Sequence, residues 1–339
     1  MNIGVLGAGT WGIALSRMLA LSGHDVIVWS ALSQEIDQLS AEHIHPKFPG
    51  VVLPDSLRYT ADVKTAVSGK DVLIAAVPSV FIRSTIRTAA PYLEEGQIIV
   101  SVAKGIEEST LFTMTEVIAG ELGQIADEKH LKIAALSGPT HAEEVIRSAP
   151  TTIISSCPDL TTAETIQDVF MNTCMRVYTN PDIKGVELCG ALKNIIALAS
   201  GVVSGLDLGD NIKAALITRG LAEIKRLGMK LGCREQTFYG LAGMGDLIVT
   251  ALSVHSRNYK AGILIGQGMD PESAKKEVGQ VVEGMNAIKP AMELSRQTGV
   301  FLPIISAVNA VVYEGADPAD MLDGLMKREK RSELSDLYD

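Results

Sequence analysis

Short apolar runs alternate with amphipathic stretches through the first half of the chain. The runs Asn2–Leu6, Asp25–Trp29, Asp71–Val77, Gln97–Val102, Leu131–Leu136, Thr151–Ser155 and Met175–Tyr178 read as buried strands. Ile13–Leu21, Val80–Ala89, Leu111–Leu122 and Thr161–Phe170 carry helical spacing between them. Buried strands alternating with helices predict βαβ units and a mostly parallel sheet. Thr140-His141-Ala142-Glu143 and Thr161-Thr162-Ala163-Glu164 each fit a capping box, in which Thr and Glu satisfy helix-end amides reciprocally.

After about Asp182 the pattern changes to successive helices. They run roughly Ile183–Ser204, Asp210–Leu227, Gly240–Leu252, Tyr259–Gly266, Pro271–Val278, Val281–Thr298 and Pro303–Glu314. Asp270-Pro271 and Asp317-Pro318 read as helix caps followed by proline in the first turn. The expectation is therefore an α/β domain over residues 1–184, an all-α domain over 185–326, and a frayed charged tail over 327–339.

A length of 339 residues agrees with two domains, and 47% hydrophobic residues supply a packed core. A net charge of -10 without a basic block argues against nucleic acid and against an anionic membrane surface. Val300–Tyr313 is broken by Pro303 and Asn194–Leu206 by glycines, so neither reaches the roughly 18 continuous apolar residues of a membrane span. No membrane insertion is expected. The start, Met1-Asn2-Ile3, has no basic region ahead of its apolar run, so no signal peptide is expected. Cys157, Cys174, Cys189 and Cys233 are scattered, as in a reduced cytoplasmic protein. The six histidines show no metal-ligand spacing, and His141-Ala142-Glu143 lacks the P-C-x-x-C of a zinc deaminase, so no metal site is expected.

Gly7-Ala8-Gly9-Thr10-Trp11-Gly12 is a G-x-G-x-x-G between the first strand and the first helix. Gly7 permits the tight turn, Gly9 the approach of a pyrophosphate, and Gly12 close helix–strand packing. Helix-end amides would receive the phosphates. An NAD enzyme often carries an acid at the end of the second strand, and an NADP enzyme a basic residue. Here Ser30-Ala31-Leu32 follows, and the first acid is Glu35 inside the next helix. The choice between NAD and NADP stays open on this reading.

Lys193 is the lone charge between Glu187 and Asp207. A lysine in an apolar helix needs a partner or a cavity, unless it snorkels to solvent. Gly190, Asn194, Ala197 and Gly201 recur on one side, so something approaches that face closely. Lys104 follows the strand Gln97–Val102, at the sheet edge where ligands bind, and reads equally as a solvated loop lysine. Ser137-Gly138-Pro139-Thr140 precedes a helix and reads equally as a plain helix start. Asp246 reads as a ligand group or as a cap, Ser256-Arg257-Asn258 as a polar site or as surface, and Glu283 as a first-turn acid.

Taken together, these segments resemble the glycerol-3-phosphate dehydrogenase family in its bacterial biosynthetic form. The matching pieces are the Gly7–Gly12 turn, Ala76-Val77-Pro78-Ser79, Val102-Ala103-Lys104-Gly105-Ile106-Glu107, Ser137–Val145, Glu187–Ile195, Gly240–Leu247, Ser256-Arg257-Asn258 and Val281-Val282-Glu283-Gly284. They lie in the family's order along nearly the whole chain. The resemblance implies a Rossmann domain and a helical domain like that of 6-phosphogluconate dehydrogenase. It implies hydride transfer between dihydroxyacetone phosphate and sn-glycerol 3-phosphate with NAD or NADP, supplying glycerophospholipid synthesis. A homodimer is compatible with it.

By position, the resemblance makes Lys193, Asp246 and Thr250 catalytic. It places Lys104, Gly138, Thr140, Lys193, Asp246, Ser256, Arg257 and Asn258 on substrate. It places Gly7, Gly9, Thr10, Trp11, Gly12, Phe48, Lys104, Ala142, Arg257, Val281 and Glu283 on the dinucleotide. Two features depart from the family: His43–Gly50 is shorter than its usual aromatic loop, with Phe48 in place of a tyrosine, and no basic residue follows Trp29. Two other functions fit less well. A related two-domain dehydrogenase, for a hydroxyacid or another α- or β-hydroxy compound, is the nearer one, with Lys104 and Arg257 arguing against a neutral substrate; a non-catalytic dinucleotide sensor would not need Lys193 with Asp246. The acidic net charge does not oppose anionic ligands, because a few focused cations outweigh a diffuse surface screened within about 8 Å.

Overall fold

The computed structural model describes residues 1–330, 332 and 333. Arg331 and residues 334–339, part of the tail expected to fray, lie outside the described residues. The chain divides into two compact units, Met1–Glu187 and Leu188–Asp339.

The first unit is an eight-stranded sheet with helices on both faces. Its strands are β1 (Asn2–Leu6), β2 (Asp25–Trp29), β3 (Arg58–Thr60), β4 (Val72–Ala75), β5 (Ile98–Ser101), β6 (Lys132–Ser137), β7 (Thr151–Ser156) and β8 (Met175–Asn180), ordered β3-β2-β1-β4-β5-β6-β7-β8. All neighbours pair parallel except β6 with β7. The order 3-2-1-4-5-6 is that of a dinucleotide-binding Rossmann sheet, whose ligand edge lies at the strands' carboxyl ends. The helices are α1 (Thr10–Leu21), α2 (Ser33–Glu42), α3 (Val63–Val67), α4 (Ile82–Ala89), α5 (Met114–Leu122), α6 (Gln124–Glu128), α7 (Ala142–Val145) and α8 (Leu160–Phe170).

Successive strand residues point to opposite faces, and the two cores follow that period. Val26, Val28, Val72 and Ile74 join residues of α1 and α8 in one core. Ile27, Trp29, Leu73 and Ala75 join residues of α3, α4 and α5 in the other. Burial on both faces explains why the strands read as continuous apolar runs.

Several boundaries differ from expectation. β4 is shorter than Asp71–Val77, and beside its start the Asn2 amide donates to the Asp71 carboxylate at 2.8 Å. β3 carries no apolar run and was not expected. Neither expected capping box forms. His141 occupies the cap of α7 without a side-chain bond, while Thr140 Oγ1 donates to Gly138 O at 3.3 Å. Asp159 rather than Thr161 caps α8, accepting from the Thr161 amide. The box that does form is Thr113 with Glu116, which starts α5 at Met114 instead of Leu111.

The second unit is helical among its described residues: α9 (Ile183–Gly205, whose first turn belongs to the first unit), α10 (Asp210–Lys230), α11 (Glu235–Tyr239), α12 (Asp246–Leu252), α13 (Arg257–Gly266), α14 (Pro271–Val278), α15 (Glu283–Thr298), α16 (Pro303–Tyr313) and α17 (Pro318–Met326). Asp270 and Asp317 cap α14 and α17 ahead of proline, as expected. The stretch expected as one helix over Gly240–Leu252 is interrupted by a π-type turn, Leu241–Gly245.

α9 is long and apolar enough to cross a bilayer, which counting uninterrupted apolar residues overlooks; 94% of its most apolar window is buried inside the protein. Its glycine face meets α13. A Cβ at Gly201 would overlap Tyr259 O and crowd Gly262, and one at Gly205 would overlap Ile263 O and crowd Gly266. The close approach inferred from the glycine spacing is thus helix–helix packing at these positions.

Candidate active site

In the first unit, the segments after β1, β5 and β6 share the carboxyl edge of the sheet. Gly7 has φ +129°, and its amide donates to Trp29 O at 2.9 Å, tying the turn to the end of β2. A Cβ at Gly7 would press on the Ala76 carbonyl, and one at Gly12 would overlap Gly7 O. Gly9 differs: it caps α1, is exposed, and a Cβ there would meet nothing within 4 Å. Two glycines are therefore required by packing, and the middle one keeps open space over helix-end amides that have no intrahelical acceptor. Those are the features a pyrophosphate requires, so the turn fits a dinucleotide.

Thr10 and Trp11 open α1 and are half-buried. Lys104 Nζ donates to Gly138 O at 3.1 Å, which brings the loops after β5 and β6 together. Thr140 bonds the same carbonyl. Ala142 begins α7 and is half-buried against the core. Phe48 is buried in the core, its ring 5.4 Å from that of His45. His45 in turn bonds the Ala8 backbone with its ring and accepts the Lys47 amide at Nδ1, 3.1 Å; burial lowers its pKa. The shortened loop thus reaches the glycine turn through His45, a residue the sequence reading passed over.

In the second unit, Lys193 Nζ donates to Asp246 Oδ1 and to Thr250 Oγ1, each at 2.5 Å. Lys193 is 5% exposed and Asp246 fully buried, so the lysine does not snorkel. Asp246 and Thr250 lie one turn apart on α12, directly after the π-type turn; such turns recur at functional sites. Thr250 Oγ1 also donates to Asp246 O at 2.7 Å, which points its lone pairs at the ammonium. Asp246 is therefore an ion-pair partner rather than only a helix-start residue.

Beside this pair runs a buried amide chain. Asn194 Nδ2 donates to Gly190 O at 3.1 Å, Asn258 Nδ2 to Asn194 Oδ1 at 2.9 Å, and the Gly284 amide to Asn258 Oδ1 at 2.8 Å. It links the residues next to Lys193, Arg257 and Glu283. Ser256 caps α13 by accepting the Tyr259 amide at 3.2 Å, and Arg257 is exposed beside it. Val281 and Glu283 are half-buried at the start of α15. Asn194 was not assigned a role from sequence; its signal was a second polar residue following Lys193 in an apolar helix.

A family model described as the NAD-dependent glycerol-3-phosphate dehydrogenase N-terminus matches residues 2–163, and one described as the C-terminus matches residues 182–323. The chain belongs to the NAD-dependent glycerol-3-phosphate dehydrogenase family. A relative from Lactobacillus delbrueckii subsp. bulgaricus, named glycerol-3-phosphate dehydrogenase (NAD(P)+) 2, is 60% identical over 98% of this chain and 99% of its own. One from Agathobacter rectalis, named glycerol-3-phosphate dehydrogenase (NAD(P)+), is 50% identical over 99% and 98%. The crystal structure of the Coxiella burnetii glycerol-3-phosphate dehydrogenase is 34% identical, covers 96% of this chain and 99% of that one, and superposes with a TM-score of 0.91. The family resemblance, the Rossmann sheet and the helical second half read from the sequence all stand.

Proposed function

We propose that this chain interconverts dihydroxyacetone phosphate and sn-glycerol 3-phosphate with NAD(P)H. The observation that carries the reading is the buried lysine held by Asp246 and Thr250, in a chain of this family with an open glycine turn. When bound, the reduced nicotinamide supplies a hydride to the substrate's carbonyl carbon. The chain's own part is at the oxygen. Lys193 sets a cation beside the developing alkoxide and yields the proton that completes the alcohol. Asp246 and Thr250 hold the ammonium in one place, so little reorganisation accompanies the step.

Lys104 and Arg257 supply charge for the substrate phosphate, with Gly138, Thr140, Ser256 and Asn258 shaping the surroundings. Gly7, Gly9 and Gly12 with the Thr10 and Trp11 amides receive the pyrophosphate, and Phe48, Ala142, Val281 and Glu283 complete the dinucleotide contacts. In this reading the enzyme is cytoplasmic, does not enter a membrane, supplies glycerophospholipid synthesis and assembles as a homodimer. The long apolar helix is buried inside the protein, which supports the second point.

The test is loss of reduced-nicotinamide absorbance on adding dihydroxyacetone phosphate to purified protein. Oxidation that needs this ketone, and is not matched by unphosphorylated keto acids, supports the reading. Oxidation with keto acids alone would favour the related hydroxyacid dehydrogenases. Binding without turnover would favour a sensor.

A further inference from the structure

The structure brings an acid to the place where the sequence reading found none. Ser30 follows β2, and its amide donates to Thr60 O at 3.3 Å. Glu35, in the first turn of α2, folds back to it: Ser30 Oγ donates to Glu35 Oε2 at 2.6 Å. The Leu32 amide donates to Ser30 Oγ at 3.2 Å. The end of β2 is itself tied to the glycine turn through Gly7 and Trp29. A half-buried carboxylate thus stands at the carboxyl end of the second strand, beside the turn.

In a Rossmann sheet that position meets the adenosine ribose, where a carboxylate accepts the 2′-hydroxyl of NAD and repels the 2′-phosphate of NADP. Two neighbouring donors are already committed. The Ser30 hydroxyl hydrogen goes to Glu35, and the Leu32 amide goes to Ser30. The charges facing His45 from this region are Glu35 and Lys47, the latter exposed in the shortened loop.

We infer that Glu35, oriented by Ser30, makes this chain select NAD(H) over NADP(H). The inference rests on the dinucleotide reading of the glycine turn but not on the identity of the substrate.

The test is binding without substrate. The two tryptophans are Trp11, at the turn, and Trp29, at the end of β2, so their fluorescence reports NADH and NADPH titrations. The wild type is expected to bind NADH at least about tenfold more tightly. Glu35→Gln keeps the serine's acceptor and removes the charge. It should bring NADPH to within about threefold of NADH while NADH affinity changes little. Glu35→Ser serves as the second variant should Glu35→Gln fold poorly, and Lys47→Ala should leave the preference in place.

Equal or tighter NADPH binding by the wild type overturns the inference. So does an unchanged ratio in both Glu35 variants, or a preference that disappears with Lys47→Ala. Selective NADH binding without dihydroxyacetone phosphate turnover would sink the proposed reaction and leave this inference standing. Absence of binding by either dinucleotide would end both.

Discussion

Lys193 and Asp246 lie 53 residues apart in sequence, yet their side chains meet at 2.5 Å with almost no solvent contact. Removing one member of such a pair strands the other as a buried charge, at about 3–5 kcal/mol. Asp246→Asn and Lys193→Met should therefore each lower stability by that order in urea unfolding. The double variant Lys193→Met/Asp246→Leu should recover most of it, because two apolar side chains leave no charge behind. Its activity should stay absent. A double variant as unstable as the sum of the singles would show that the pair is not the coupled unit seen here.

The glycine turn separates binding from folding. Gly9→Ala fits its backbone, φ -67° and ψ 174°, and meets no protein atom, so its thermal midpoint should match the wild type. Its KM for dinucleotide should rise about tenfold or more, since the methyl occupies the phosphate's approach. Gly12→Ala should instead lose about 1–3 kcal/mol of stability through overlap with Gly7 O. Calorimetry and dinucleotide KM on both variants check the contrast; equal KM values for Gly9→Ala and wild type would contradict it.

Lys104 bonds the Gly138 carbonyl, a contact that glutamine can imitate without the charge. Lys104→Gln should raise KM for dihydroxyacetone phosphate roughly tenfold or more with a smaller change in KM for dinucleotide. The reverse pattern in steady-state kinetics would move Lys104 from the substrate to the cofactor.

The strands were legible because burial on both sheet faces leaves uninterrupted Val/Ile/Leu runs, and Asp-Pro pairs announced α14 and α17. β3 was not legible, since Arg58–Thr60 is short and lies at the sheet edge. The two expected capping boxes failed for a local reason: α8 starts one residue before Thr161, leaving the cap to Asp159, and α7 starts two after Thr140, leaving the cap to His141. At the site, Lys193 stood out as a charge in an apolar helix, but its partners come from α12. A pairing across 53 residues leaves no periodic trace. Glu35 belongs to the next helix by sequence, and spacing does not show its side chain folding back on Ser30.

Two buried acids give a pH dependence of stability. Burial pushes Glu223 up to about 7, although the Ile304 and Ile305 amides, at 2.8 and 3.2 Å, pull it down. Burial likewise raises Glu187 to about 7 against its bonds to Thr115. With folded values above the ordinary 4.5, the unfolded chain releases these protons first. Their contribution to stability therefore falls as pH rises from about 4.5 to 7 and then levels off, by at most about 3 kcal/mol each. Glu223→Gln should remove about half of that slope in urea midpoints measured between pH 5 and 8. A variant slope equal to the wild type's would rule Glu223 out as a source.

The most direct test of the proposed chemistry is kcat for dihydroxyacetone phosphate reduction by the wild type and by Lys193→Met at saturating substrate and dinucleotide. With folding confirmed and dinucleotide affinity retained, Lys193→Met should fall by about 100-fold or more, the scale for losing a group aimed at developing charge. A variant that turns over within a few-fold of the wild type would contradict the assignment of Lys193 to the reacting oxygen.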